Sequence, residues 1–361
     1  ATTSSLEALK AFSRGEKLRA SGKEDEAIPL FQRAVELDPD FARAHGALGT
    51  IYGNLREWET SREYLSRAFE LRHQVSEREE LYITAHYHDN VTGDVDKQIG
   101  AYEQFKAAYP RDWTPVNNLS VQYNDLGWFE KAIDESRVAL QLNPGHVFPY
   151  TNLGEALRSL NRLDEAKQVY EEALDRGFTY HDIFIGPYLI AYLEGDEETM
   201  QRMADSLVGK PGEAFMLAAQ AKVAASAGRL NEARQLTDRA VEVAKQSGFA
   251  EQSGFFIAEA AAYEAAFGNE QVSRELAMAA LESVRSRDTM PYAAAILARA
   301  GATQEAEALL EELVERFPED TVINKVQAPI ARAAIALQQQ DPQRAVRLLE
   351  STIPYQRGRL W

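Results

Sequence analysis

The stretch that decides the fold runs from Trp113 to Tyr180. It reads WTPVNNLSVQYNDLGWFEKAIDESRVALQLNPGH and then VFPYTNLGEALRSLNRLDEAKQVYEEALDRGFTY. These two segments of about 34 residues repeat one pattern, in which Asn118 of the first corresponds to Asn152 of the second. In each copy, apolar residues follow helical spacing on both sides of a Gly or Asn. This period predicts two helices per repeat, joined by a short turn.

The recurring landmarks resemble the tetratricopeptide repeat, whose consensus is a large residue, Leu-Gly and Tyr, then Ala, an aromatic residue, Ala and Pro. The resemblance implies an all-α fold, a right-handed α-solenoid (tetratricopeptide superhelix) of about ten helix-turn-helix repeats. It also implies that each repeat contacts only its neighbours. The landmarks of the second copy are Asn152-Leu153-Gly154, Leu157, Leu160-Asn161, Ala166, Tyr170, Ala173 and Gly177-Phe178.

The match is uneven along the chain. About five well-matched repeats occupy residues 1–180, and about five divergent helix pairs occupy residues 181–361, continuous with the first half. Some intervals between turns lengthen in the second part, which predicts longer helices or inserted turns around residues 246–253 and 320–327. The turn residues that keep the register there are Gly195, Gly228, Gly268, Gly301 and the segment Gln340-Asp341-Pro342.

Composition excludes several classes of function. The 361 residues carry a formal net charge of -17 and include no cysteine. Direct nucleic-acid binding requires a cationic surface, so we predict no nucleic-acid partner. The missing cysteines exclude disulfides and thiolate sites, and no apolar run is long enough to predict membrane insertion by this chain. Compartment and oligomeric state stay open.

No catalytic motif accompanies the repeats, so we predict no catalytic residues, no cofactor and no metal site. His86 and His88 are two apart on a helix, where side chains diverge by about 200° and cannot share a metal ion. His86 is instead one turn before Asn90. It takes the position held by Gly15 and Gly154 in other repeats, which predicts a buried, polar-bridging histidine. Adjacent carboxylates are frequent, but on a helix they point apart and do not form an acid–base pair.

The inner curve of the solenoid is the candidate binding surface, because the first helices of stacked pairs line it. Asn118 and Asn152 occupy matching positions there, and side-chain amides both donate and accept hydrogen bonds, which suits an extended peptide backbone. Asparagine is common at this consensus position, so a structural role stays open. The Lys- and Arg-rich clamp that related domains use for C-terminal carboxylates is missing. The predicted peptide-binding residues are Tyr87, Asn90, Asn117, Asn118, Asn124, Asn152, Glu155 and Arg158.

Three segments carry a narrower resemblance: TTSSLEALKAF (2–12), VSERE (75–79) followed by Tyr82-Ile83, and YPRDW (109–113). They are similar to the C-terminal regions of multidomain bacterial serine/threonine protein kinases, where a tetratricopeptide array follows the kinase domain. This implies a non-catalytic interaction and sensing module. An intramolecular scaffold or autoinhibitory module of a kinase or transcriptional regulator, without external ligand, stays an alternative. The apolar ending at Trp361 predicts that the natural chain continues into more repeats.

Overall fold

A computed structural model describes residues 3–358, so Trp361 and the expectation attached to it lie outside the described residues. This part of the chain contains 20 α-helices and no strand, which confirms the predicted all-α repeat fold. The helices are α1 (Leu6–Ala20), α2 (Glu24–Leu37), α3 (Ala42–Asn54), α4 (Trp58–Glu70), α5 (Glu77–Tyr87), α6 (Val95–Ala108), α7 (Trp113–Asp125), α8 (Phe129–Leu142), α9 (Phe148–Ser159), α10 (Leu163–Asp175), α11 (Asp182–Glu194), α12 (Glu197–Asp205), α13 (Glu213–Ser226), α14 (Leu230–Gln246), α15 (Ala250–Ala266), α16 (Glu270–Ser283), α17 (Thr289–Arg299), α18 (Thr303–Arg316), α19 (Ala328–Gln338) and α20 (Pro342–Leu349).

Both lengthened intervals are explained by helical geometry. Around residues 246–253, α14 and α15 are each 17 residues long and are separated by a short turn. Around residues 320–327, a π-helix at Ile323–Gln327 leads directly into α19. A second π-helix, His88–Thr92, extends the end of α5. Short 3-10 helices lie at Arg72–Gln74 and Glu350–Tyr355.

The turns inside the pairs adopt left-handed backbone conformations. All four turn glycines predicted in the second half have positive φ, between 74° and 79°. Glycine has no Cβ and adopts this conformation without strain. Three turns use a side-chain-bearing residue instead, namely Arg56, Asn161 and Gln340, with φ of 63°, 58° and 60°. The register of the turns was therefore readable from the sequence even where glycine is missing.

The two helices of a pair approach closely at one recurring position. A Cβ placed on Gly154 would lie 2.5 Å from the ring of Tyr170, and one on Gly15 would lie 2.8 Å from the ring of Phe31. Gly49 is equally close to Leu65. A small residue on the first helix therefore makes room for a large residue on the second, and this contact fixes how each pair packs.

The chain divides into two compact units. The first unit comprises the residues up to Asn54 together with Glu59–Met216, and the second comprises Leu55–Trp58 together with the residues from Leu217 onward. The division at residue 180 stays a prediction about repeat quality. The core of the second unit is built largely from small residues, as the alanine-rich sequence indicates. Its fully buried alanines include Ala261, Ala277, Ala293, Ala294, Ala298 and Ala306.

Within the second unit, the Leu55–Trp58 segment is anchored on the start of α15. One carboxylate oxygen of Glu57 accepts hydrogen bonds from the backbone N–H groups of Glu251 and Gln252, each at 3.1 Å. The first N–H groups of a helix have no partner within the helix, so this carboxylate supplies one. Glu57 thereby acts as an N-terminal cap that is remote in sequence.

The expectation that each repeat contacts only its neighbours is wrong in the first unit. The carbonyl of Ala20, in the turn between α1 and α2, accepts a hydrogen bond from the N–H of Val147 at 3.1 Å. The carbonyl of Ser21 accepts one from the N–H of Thr179, also at 3.1 Å. The turn of the first repeat therefore meets the starts of α9 and α11. The first unit curves tightly enough for its beginning to close on its later repeats.

Candidate functional site

Four predicted asparagines form a connected chain of hydrogen bonds on α7 and α9, called the asparagine track below. The side-chain amide of Asn117 donates to Asn118 Oδ1, and that of Asn152 donates to Asn117 Oδ1, both at 3.0 Å. Asn124 donates to the backbone carbonyl of Asn152 at 3.1 Å. The structure thus brings these four residues together. Asn117 and Asn124 are buried, whereas Asn118 and Asn152 are half-buried.

The track continues through a buried aromatic and imidazole pair. Asn118 donates to the Tyr102 hydroxyl at 3.1 Å, and that hydroxyl lies 3.1 Å from His86 Nδ1. Asn118 Nδ2 also lies 3.3 Å from His86 Nε2. His86 is 3% exposed, which confirms the prediction of a buried polar bridge. Its carbonyl accepts from the Asn90 amide at 3.2 Å.

Burial controls the protonation of this pair. Desolvation, aided by the positive charges of Arg19 and Arg43, holds the pKa of the His86 imidazole well below its ordinary value. Burial also raises the pKa of the Tyr102 hydroxyl well above its ordinary value, and the nearby Asp89 carboxylate adds to that effect. Both side chains are therefore neutral at neutral pH, and they act as hydrogen-bonding groups.

Of the other predicted residues, Tyr87 and Asn90 lie at the end of α5, away from the track in sequence. The Tyr87 ring stacks on that of Phe69 with centroids 3.9 Å apart. Glu155 and Arg158 form a half-buried ion pair at 3.8 Å, one turn apart on α9. A direct role of the eight predicted residues in peptide binding stays a prediction.

Sequence reasoning missed a second polar cluster, in the first repeat. The Arg19 guanidinium pairs with Glu24 at 3.0 Å, and Asn54 donates to both oxygens of the Glu24 carboxylate at 3.0 Å. Arg19 follows Gly15 at the spacing at which Arg158 follows Gly154. This repeat register was the available signal, and it also matches Glu16 with Glu155.

Eight side chains of the first unit have a buried polar atom with no hydrogen-bond partner among residues 3–358. Five are on first helices of their pairs, where Arg43 Nη1 and Arg158 Nε are donors, Glu16 Oε1 and Asn124 Oδ1 are acceptors, and the fifth atom is His45 Nδ1. The other three, Gln98, Glu135 and Ser136, are on second helices. A buried polar atom without a partner costs about 1–3 kcal/mol.

A cavity of about 380 Å³ lies beside α1 and α3 in the same unit. Its apolar walls come from Leu9, Phe12, Phe41 and Val75, and Arg43 contributes to its lining. The Arg43 guanidinium lies 3.6 Å from the centroid of the Tyr82 ring, a cation–π distance. The cavity therefore combines an apolar surface with the positive charges of Arg43 and Arg78 and the negative charge of Glu79.

The described residues contain no group of three or more His, Asp or Glu side chains arranged to hold a metal ion. In residues 3–358, moreover, no helix has both the length and the apolar character required to cross a bilayer.

Comparison with known families agrees with this geometry. A family model described as TPR repeat matches residues 15–55, and one described as tetratricopeptide repeat matches residues 149–176. The chain contains tetratricopeptide repeats. The first range covers the end of α1 with α2 and α3, and the second covers the pair α9–α10. The repeats support a role as a protein-interaction module of the tetratricopeptide type.

The curated relatives that this chain matches are much longer than the chain itself. The chain is 24% identical over 170 residues to mouse aspartyl/asparaginyl beta-hydroxylase, covering 45% of this chain and 23% of that protein. It is 26% identical over 169 residues to the human NatA auxiliary subunit N-alpha-acetyltransferase 16, covering 44% and 19%. The chain thus spans about a fifth of these relatives. The crystal structure of yeast Tom70 superposes with a TM-score of 0.55 at 14% identity, covering 98% of this chain and 93% of that one. This likeness shows the fold of the tetratricopeptide repeats.

Proposed function

We propose that this chain is a non-catalytic interaction module that binds an extended peptide segment of a partner protein on the inner face of the first unit. The observation that carries the proposal is the set of five unpartnered buried atoms on first helices of this unit, which includes two donors, Arg43 Nη1 and Arg158 Nε, and two acceptors, Glu16 Oε1 and Asn124 Oδ1. An extended peptide backbone offers both N–H and C=O groups, and it would satisfy both kinds of atom. The asparagine track supplies further amides of both kinds.

The charges of this face favour a polar, uncharged segment. Arg43 and Arg158 are accompanied by Glu16 and Glu155, with contacts of 3.7 Å for Arg43–Glu16 and 3.8 Å for Arg158–Glu155. A face with both signs of charge gives no net attraction to a strongly acidic or strongly basic tail. The cavity beside α1 adds room for one apolar side chain of the bound segment. The chemistry of the partner is therefore a neutral backbone with an apolar anchor.

The test is peptide capture by variants of the asparagine track. The double variant Asn118→Ala/Asn152→Ala removes two amides and is expected to weaken capture of a pool of short random peptides by about tenfold or more. Asn231→Ala, at an exposed position of the second unit, is the matched control and should capture normally. Thermal melts of each variant separate lost binding from lost folding. Undiminished capture by a folded double variant would overturn the assignment.

A finer proposal concerns the parent protein. The segments 2–12, 75–79 and 109–113 resemble the C-terminal arrays of bacterial serine/threonine protein kinases, and we propose that the module belongs to such a kinase. Reading the gene upstream of the codon for Ala1 tests this, because kinase motifs are either encoded there or not.

The side-chain amides of the asparagine track already form hydrogen bonds with one another. This favours a second candidate function, an intramolecular scaffold without external ligand. Deleting the array from the parent and measuring basal output separates the two functions. A scaffold that inhibits its effector predicts a rise in output. Unchanged output, together with peptide capture by the isolated chain, supports the interaction module.

A further inference from the structure

The turn between α1 and α2 sits on the starts of two later repeats of the first unit. We call Arg19–Gly22 the latch, and Val147-Phe148 with Thr179-Tyr180 its seat. Two backbone hydrogen bonds of 3.1 Å join them, from Val147 to Ala20 and from Thr179 to Ser21. These two backbone hydrogen bonds join segments that are distant in sequence. They therefore fix the position of the first repeat relative to the starts of α9 and α11.

Gly22 makes this seating possible. Its φ is 88°, in the left-handed region, and a Cβ built on it would lie 2.6 Å from the backbone nitrogen of Tyr180. Any side chain at this position would therefore push the latch away from its seat. The Arg19 guanidinium lies 5.7 Å from the ring centroid of Phe148, which adds a cation–π contact on the same side.

The seat contains a row of aromatic rings that contact one another. His146 lies against Trp113 with centroids 4.3 Å apart and against Phe148 at 4.9 Å. Phe148 in turn meets Tyr180 edge to face at 5.2 Å. This aromatic row runs from Trp113 of α7 to Tyr180 just before α11, and its ring–ring contacts are separate from the contacts that Arg19 makes with Phe148 and Gly22 makes with Tyr180. Release of the latch would therefore leave the ring–ring contacts in place.

We propose that the latch is releasable, and that its release admits the extended peptide to the inner face of the first unit. This inference rests on the proposed function. In the seated state the first unit is closed on itself, and Asn117 and Asn124 of the track are buried at 3% and 0% exposure. The unpartnered atoms of Arg43 and Asn124 are also buried in this state. A peptide backbone needs an opening to reach them, and release of the latch would provide it.

The experiment is to lock the latch covalently. The chain has no cysteine, so the double variant Ser21→Cys/Thr179→Cys introduces a single pair. This pair is chosen because the Thr179 N–H donates to the Ser21 carbonyl at 3.1 Å, which places the two backbones side by side. In capture of a cysteine-free pool of short random peptides, the oxidised variant is expected to bind at least about tenfold less than the same protein after reduction. The single variants Ser21→Cys and Thr179→Cys should show no response to reductant.

Gly22→Val provides an independent opening variant. Hydrogen exchange at the Val147 and Thr179 amides should accelerate at least about tenfold, since both lose their partners. Peptide capture should equal or exceed that of the unaltered chain. Equal, measurable capture by the oxidised and reduced forms would overturn the latch and leave the proposed function standing. Failure of every form to capture peptide, including a Gly22→Val protein with accelerated exchange, would overturn the proposed function and with it the gating of peptide.

Discussion

The Tyr102 hydroxyl lies 3.1 Å from His86 Nδ1, and the two residues are sixteen apart in the chain. The same spacing joins Gly15 to Phe31 and Gly154 to Tyr170, where the glycine admits a large ring. In the third repeat both positions carry large side chains, His86 and Tyr102, and these form a hydrogen bond instead of a glycine–ring contact. The Asn118 amide then connects this pair to the asparagine track. The histidine at a position held by glycine in other repeats thus links the core of this repeat to the asparagine track.

Removal of the His86 side chain should destabilise the protein. His86→Ala leaves the buried Tyr102 hydroxyl and Asn118 amide without one of their partners, which costs about 1–3 kcal/mol of unfolding free energy. Urea denaturation followed by circular dichroism measures the loss. His73→Ala is the control, because the His73 side chain is 66% exposed and its removal should change stability by less than about 0.5 kcal/mol. Equal effects of the two variants would contradict the bridging role.

Stability should fall as the solution becomes mildly acidic. Burial, with the charge of Arg19, lowers the pKa of His146 to about 3, and burial lowers that of His86 in the same direction. An unfolded histidine has a pKa of about 6.5, so the unfolded state takes up protons first. The contribution of each histidine is full above about pH 6.5 and is lost as pH falls from there toward the folded pKa.

The pH prediction is measured by urea midpoints across that window. His146→Phe replaces a group already packed between the Trp113 and Phe148 rings, and the variant should show a shallower pH dependence than the unaltered chain. Asn231→Ala, at an exposed position without a titratable side chain, should retain the full dependence. A His146→Phe slope identical to that of the unaltered chain would show that the buried imidazole does not contribute.

Two glycines inside helices should respond oppositely to alanine. Gly154→Ala places a Cβ 2.5 Å from the Tyr170 ring, and the overpacking should cost about 1–3 kcal/mol. Gly100 is exposed within α6, and nothing lies within 4 Å of a Cβ built there. Gly100→Ala should therefore stabilise the helix by about 0.5–1 kcal/mol through reduced backbone entropy. Thermal and urea unfolding of both variants check the signs, and destabilisation by Gly100→Ala would contradict the packing described for α6.

Two exposed turn residues of the second unit, Gln340 and Gly301, both have positive φ, and exchanging glycine and non-glycine residues at them measures the cost of backbone strain. Gln340 has φ of 60°, and Gln340→Gly should stabilise the protein by about 1 kcal/mol because the left-handed conformation penalises a Cβ. Gly301 has φ of 78° with open space around it, and Gly301→Ala should destabilise by a similar amount. Denaturant midpoints report both. A loss of stability in Gln340→Gly would mean that its side chain contributes more than the strain it causes.

Much of the fold was readable from the sequence because helical repeats are local. The period of Trp113–Tyr180 predicted paired helices, and the turn positions from Gly195 to Gln340 were located to the residue. Gly15 and Gly154 identified the close-packed position, and the exception at His86 predicted a buried polar bridge. Each of these features depends on residues within one or two turns of helix, or on one neighbouring helix.

The site was only partly readable. The recurrence of Asn118 and Asn152 identified the asparagine track. It did not predict that the amides bond to one another or that Asn117 and Asn124 are buried. The contact between the Ser21 carbonyl and Thr179 was not expected at all.

The sequence by itself determined the helix pairs, their turns and the packing inside each repeat, because those interactions span few residues. The tertiary structure alone decided that the first unit closes on itself at Ser21 and Thr179. The physical reason is that small rotations between successive repeats add along the chain. The sum of these rotations, which no single repeat encodes, determines whether distant turns meet.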